Sequence, residues 1–196
     1  MAEGKSVKAN RINVENLVYA LMLTDTKEGC SYGPVKELAK AMQIQTTPSV
    51  ATGTLYGEGV LQEDISRLVG IAVVIDANKV PIENRAEILG NDLVNGQLWE
   101  KAGDEAPDIA VGYKVPQTKG KAEYVWLLKG TAKPMNDTAK QSEGNITFSN
   151  DQISINFKPR EYDKQIRVFA DSAFPEFTDG DTFLNAVPTE KPVAAE

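Results

Sequence analysis

A chain of 196 residues, 41% of them hydrophobic, is long enough to bury a core without cross-links. It has no histidine and one cysteine, Cys30, which excludes Ser-His-Asp and Cys-His catalysis, imidazole-held zinc and an intrachain disulfide. The net charge of -7 argues against a protein that grips nucleic acid through its phosphates, because that takes clustered Lys and Arg.

Residues 1–14 are polar and mildly basic, with Lys5, Lys8 and Arg11 against Glu3, and are expected to form an extended arm without the apolar centre of a secretory signal. ENLVYALMLT, from Glu15 to Thr24, is a strand candidate. DTKEGCSYGP is a turn-rich connection punctuated by Gly29, Gly33 and Pro34. Its Cys30 has no basic neighbours to activate a thiol and reads as a small packing residue. After Val35–Leu38, the segment Met42–Thr47 alternates weakly, and TTPSVATGT, from Thr46 to Thr54, has the Pro, Thr and Gly content of a loop. Tyr56-Gly-Glu-Gly59 lacks the Lys-Ser or Lys-Thr of a phosphate loop and reads as a bend between short strands. Arg67–Asp76 is a buried strand, with Val69, Ile71, Val73 and Ile75 on its bulky face. PIENRAEILGN is a helix with Pro81 at its first turn, Ile82, Ala86 and Leu89 on one stripe, and Gly90 as its stop.

The segment from Asp108 to Gly130 reads as two strands joined by a lysine-bearing turn. Ile109, Val111, Tyr113 and Val115 face one way on the first arm. Tyr124, Trp126 and Leu128 alternate with Val125 and Leu127 on the second, so both faces of the pair are apolar. Such a pair needs two covers, and the second is expected to be the helix or an adjacent subunit. Asn145–Arg160 reads as a hairpin, Ile146 and Phe148 on one arm and Ile153, Ile155 and Phe157 on the other. Lys164–Asp171 supplies a further strand, Thr178–Val187 a closing helix capped by Asp179 or Asp181, and residues 188–196 a tail. Strands, one helix, then more strands predict a mainly β fold over residues 15–187: a β-sandwich or barrel-like domain with one flanking helix and extended loops.

None of the short motifs carries chemistry. Asp179-Gly-Asp181 lacks the remaining ligands of a calcium loop. Asn136-Asp-Thr138 and Asn145-Ile-Thr147 fit the glycosylation sequon but read as turns. Glu63-Asp64 and Asp104-Glu105 could be acid and base for glycoside hydrolysis, yet neighbours on a strand point to opposite faces, and a solvated loop fits both pairs better. Trp99 and Trp126 could form a sugar platform, but Trp126 sits within an apolar strand and reads as core or subunit interface. No catalytic, cofactor-binding or metal-binding residue is expected, and no run is long and apolar enough to span a bilayer.

Taken in order, ENLVYALMLTDTKEGCSYGPVKEL, ATGTLYGEGV, GIAVVIDANKVPIENRAEILGN, DIAVGYKVPQTKGKAEYVWLLKG and ISINFKPREYDKQIRVFADS make the chain similar to the major tail proteins, or tail tube proteins, of long-tailed non-contractile phages of Gram-positive hosts and their prophages. The resemblance implies a subunit of hexameric rings stacked into a hollow tube, with DNA only as passing cargo and no active site. Its partners would be copies of itself, with the tape measure, tail terminator and distal tail proteins. Its place would be the virion, and the host cytoplasm during assembly. On this reading Thr46, Thr47, Pro48, Ser49 and Thr54 belong to an inter-ring loop, and Glu58, Glu63 and Asp64 are inward acids of an acidic lumen. Tyr113, Tyr124, Trp126 and Leu128 form core or subunit interface. Some relatives add an immunoglobulin-like module, for which the chain after Val187 is expected to be too short. The rival readings are the tube of a contractile tail or secretion device, and a β-sandwich glycan-binding module.

Overall fold

The computed structural model describes residues 8–58, 60–137, 149–180 and 182–192. The arm before Lys8, the strand through Ile146 and Phe148, the alternative cap Asp181, the sequon threonines and the end of the tail lie outside the described residues.

The pair built from Asp108 to Gly130 is the centre of the molecule. β8 (Asp108–Pro116) and β9 (Ala122–Ala132) run antiparallel, with Tyr113 opposite Val125, around a turn in which Lys119 takes a left-handed φ of 62°. β1 (Glu15–Thr26) pairs with β8, and its other edge carries β2 (Gly29–Tyr32) and β3 (Lys36–Glu37). β10 (Asp151–Phe157) and β11 (Arg167–Asp171) share the remaining edge of β9, opposite Gly130–Ala132 and Glu123–Leu127 respectively. β5 (Val60–Ala77) pairs with β10 through Ile71–Ala77, and β4 (Ala41–Gly57) completes the sheet as its edge strand. The fold is mainly β and antiparallel, with one α-helix among the described residues.

Alternation along β8 and β9 sorts their side chains into two cores. In the larger one, Val111, Tyr113, Val115, Val125 and Leu127 join Tyr19 of β1, Ile71, Val73 and Ile75 of β5, and Ile153, Ile155 and Phe157 of β10. The sheet curls over this core until β1 and β4 touch, which gives the barrel-like form. Ala110, Tyr124, Trp126 and Leu128 face the other way, into a second core with Leu184 and Val187. Trp126 lies flat over Gly112, where a Cβ would come within 2.9 Å of its indole ring.

Helix α1 (Ile82–Leu89) begins after Pro81 and ends at Gly90 in the left-handed conformation, as the sequence predicts. It buries Ala86, Ile88 and Leu89 and leaves Ile82 at the margin. Its polar side is tied to the sheet. Asn84 Nδ2 donates to the Leu38 carbonyl (2.9 Å), the Tyr19 hydroxyl donates to Glu87, and Lys36 Nζ lies 2.6 Å from Glu87 Oε1.

Four expectations need correction. The helix packs on the larger core, so it is not the cover of the Trp126 face, and neither is a neighbouring subunit: the chain's own segment from Ala173 to Val187 is. That segment is a succession of turns rather than a helix. Trp126 Nε1 donates to the Phe183 carbonyl (2.9 Å), a group that a helix would have committed to its own N–H four residues on. Tyr124, Phe177 and Phe183 meet at ring-centroid distances of 5.4–6.2 Å, tilted or edge-on. β10 is flanked by β5 and β9, so it is a central strand rather than one arm of a local hairpin. Only the second half of β5 is buried: Leu68 and Val69 are exposed. A small hairpin of β6 (Asp92–Val94) and β7 (Gln97–Trp99) was not expected, although Asn95-Gly96, with φ of 50° and 76°, is the pair that a type I′ turn favours.

Charged groups lock the second core shut. Arg160, 2% exposed, donates to the Pro188 carbonyl (2.8 Å) and the Tyr32 hydroxyl (3.2 Å) and pairs with Asp163. Lys129 Nζ lies 2.5 Å from Asp25 Oδ2, both side chains nearly buried. Burial by itself would raise the Asp25 carboxyl, but Lys129 and the backbone N–H groups of Glu161 and Tyr162 outweigh it and hold the pKa below the usual carboxylate value.

Trp126→Ala should cost about 3–5 kcal/mol in denaturant unfolding, whereas Lys119→Ala, on an exposed turn, should stay within about 0.5 kcal/mol of the parent. The depressed Asp25 pKa means its contribution is complete above the unfolded value and fades as pH falls through the lower folded one. Stability should therefore drop below about pH 4. Asp25→Asn should remove that part of the profile while costing about 1–3 kcal/mol at neutral pH, because Lys129 loses its short pair and keeps only the longer one to Asp108 Oδ2 (3.8 Å).

Candidate assembly surface

β4 and β5 are far longer than the body requires. Their 17 and 18 residues pair from Ala41↔Ala77 to Gly57↔Val60, yet β10 accompanies β5 only to Ile71. From Ser49↔Gly70 outward the two strands form a bare ribbon, which at about 3.3 Å per residue reaches about 30 Å beyond the body. Extra residues at Val69 and Gln62, where Ser49↔Gly70 gives way to Val50↔Leu68 and Leu55↔Glu63 to Tyr56↔Leu61, add local twist.

The segment Thr46–Thr54 is accordingly strand, not loop. Its Pro and Thr are tolerated because β4 is an edge strand whose outer backbone groups have no partner in the sheet. Thr46, Thr47 and Pro48 pair with Val73, Ala72 and Ile71 beside the body; Ser49 and Thr54 lie in the ribbon. Tyr56–Glu58 forms the tip, a bend between long strands rather than short ones, with Glu58 at a φ of 52°.

The ribbon is water-exposed on both faces. Pairing puts Val50, Thr52, Thr54, Asp64, Ser66 and Leu68 on one face and Ala51, Gly53, Leu55, Glu63, Ile65 and Arg67 on the other. Glu63 and Asp64 thus point to opposite sides of a strand, not into a solvated loop. Leu55, Tyr56, Val60 and Leu61 at the tip are all more than half exposed. Sequence reasoning passed over these apolar residues, although two apolar pairs flanking Gly-Glu-Gly are a recognisable hairpin signal.

By contrast, Tyr113, Tyr124, Trp126 and Leu128 are buried within the chain, none above 7% exposed; they are core residues, and Tyr113 alone of the four also lines a groove at the ribbon root. Trp126 is likewise removed as a sugar platform, while Trp99 is exposed on β7. Cys30 is partly buried on β2, where burial pushes its thiol pKa up. Among the described residues no group of three or more acidic or Cys side chains is placed to hold a metal ion, and no helix is long and apolar enough to cross a membrane.

At the root of the ribbon is a groove of about 640 Å³. Tyr113, Val115 and Val125 form its floor, Thr46 and Pro48 one wall, and Arg167 with Phe169 the opposite rim. Arg11 at one end makes a two-point pair with Glu123 (2.9 and 2.7 Å). Arg167 rests 4.3 Å from the centroid of the exposed Phe169 ring. Among the described residues it takes part in no ion pair.

Because the tip side chains are more than half exposed, Tyr56→Ser with Leu61→Ser should leave the unfolding free energy of the isolated subunit within about 0.5 kcal/mol of the parent; denaturant titration at low protein concentration checks this. No family model matches the chain, and no curated protein matches it.

Proposed function

We propose that this chain is a structural subunit that assembles with copies of itself into hexameric rings stacked as the hollow tube of a non-contractile phage tail. The observation that carries self-assembly is the ribbon. A two-stranded hairpin bare on both faces is marginal in water, and apolar side chains clustered on a projecting arm signal a surface covered in an assembly. The tube, the ring number and the virion setting rest on the resemblance in the ordered segments from Glu15 to Val187. A chain of net charge -7 would give the wall a charge that repels a passing polyphosphate, so DNA could move through without adhering. In this role the protein is not an enzyme and needs no cofactor. It acts beside a tape measure, a terminator and a distal tail protein, and resides in the host cytoplasm until it joins the virion.

Negative-stain microscopy of the purified protein tests the reading: rings or tubes are expected, and monomers persisting at high concentration would overturn it. Replacing Ser49–Gly70 by Asn-Gly, which preserves the Pro48↔Ile71 pair and everything beneath it, should give a subunit that unfolds cooperatively, with the parent's buried-tryptophan fluorescence, and forms no tubes. Tubes of normal length from this variant would remove the ribbon from assembly.

A further inference from the structure

We propose that the ribbon tip of one copy seats in the groove at the ribbon root of the next, with Tyr56 and Leu61 against Phe169 and the tip acids against Arg167. The inference rests on the self-assembly reading and deepens it by assigning the receiving surface.

Three observations select a second copy as the occupant. The first is charge: the ribbon carries Glu58, Glu63 and Asp64 against the single base Arg67, while the groove offers Arg11 and Arg167 against the single carboxylate Glu123. Arg11 and Glu123 satisfy one another, which leaves Arg167 as the cation available to an incoming acid. The second is apolar fit, since exposed Tyr56 and Leu61 on the tip match a groove with an apolar floor and the exposed Phe169 at its rim.

The third is reach. Thr46 and Pro48, at the root of the ribbon, are themselves one wall of the groove, and the strands run outward from there for about 30 Å. A paired ribbon cannot double back onto its own root, so among the described residues tip and groove of one copy are both left open. Donor and acceptor are different patches of the same chain, which makes the contact heterologous: every copy gives one tip and receives one, and the series continues until it closes or is capped.

The test uses two full-length variants whose folding is verified by circular dichroism and thermal melting. The tip variant carries Tyr56→Ser and Leu61→Ser; the groove variant carries Arg167→Glu and Phe169→Ser. Each alone should need at least about tenfold more protein to assemble than the parent, as expected when central contacts of an interface are lost. Mixed, they should form 1:1 pairs that grow no further, seen by sedimentation velocity, because only one intact tip and one intact groove remain to meet. A mixture that stays monomeric, or either variant assembling like the parent, overturns the proposal.

Should the groove variant not fold, single cysteines in a Cys30→Ser background replace it. Tyr56→Cys mixed with Phe169→Cys should cross-link between chains under mild oxidation, with little product from either alone. Efficient Tyr56→Cys self-pairing, or no cross-link in the mixture, overturns tip-to-groove docking. If the parent forms tubes while these tests fail, only the docking site is lost. A parent that never assembles removes the tube reading as well.

Discussion

A β8–β9 pair that is apolar on both faces cannot stand at the surface of anything, and the rest of the structure follows from covering it twice. One cover is the sheet itself, curled so that β1, β5 and β10 bring Tyr19, Val73 and Ile155 over Val111 and Leu127, with α1 sealing the end. The other is the irregular stretch from Ala173 to Val187, laid over Trp126 and Leu128. Gly112 lets Trp126 lie against the β8 backbone, and the indole N–H fixes the covering segment through the Phe183 carbonyl. Close packing of this kind tolerates neither a larger residue nor an empty space.

Polar groups decide where the second cover ends. Arg160 reaches from the loop after β10 to the Pro188 carbonyl, and Asp25 gathers Lys129 with two backbone N–H groups from the same loop. These are buried charges with partners, which is the condition under which burial of a charge is tolerated. They join β1, β2, β9 and the chain's last described turns at one end of the molecule. An apolar cover without regular hydrogen bonds could otherwise slide.

Since the body satisfies both faces of its central strands by itself, the longest run of exposed apolar side chains lies in the ribbon, from Val50 to Val69. The ribbon beyond Gly70 extends the sheet past its last supporting strand, and its apolar tip is exposed. The ribbon projects from a body that is closed without it, so on the proposed reading association through the ribbon would leave the body folded as it is. The two-faced apolar strands account for the fold; the overlong edge hairpin is the surface on which the proposed association rests.

Local chemistry in the sequence determined the strands β1, β8, β9 and β11, the helix from Ile82 to Leu89, its stop at Gly90 and the alternation of side chains within β8 and within β9, while the pairing register put Tyr113 and Trp126 on opposite faces. Each depends on periodicity or on a backbone preference expressed within a few residues. Asn95-Gly96 and the apolar pairs around Gly57 were legible in the same terms and were passed over. Composition misled at Thr46–Thr54, because Pro, Gly and Thr suit a loop and an edge strand alike, and only the sheet order shows β4 to be an edge. Which element covers the Trp126 face was a tertiary decision: Phe177, Phe183, Leu184 and Val187 carry enough apolar surface for the task, but their irregular spacing reveals their destination only once Trp126 is in place. The sequence thus determined that two covers were required, and long-range packing chose which segments would supply them.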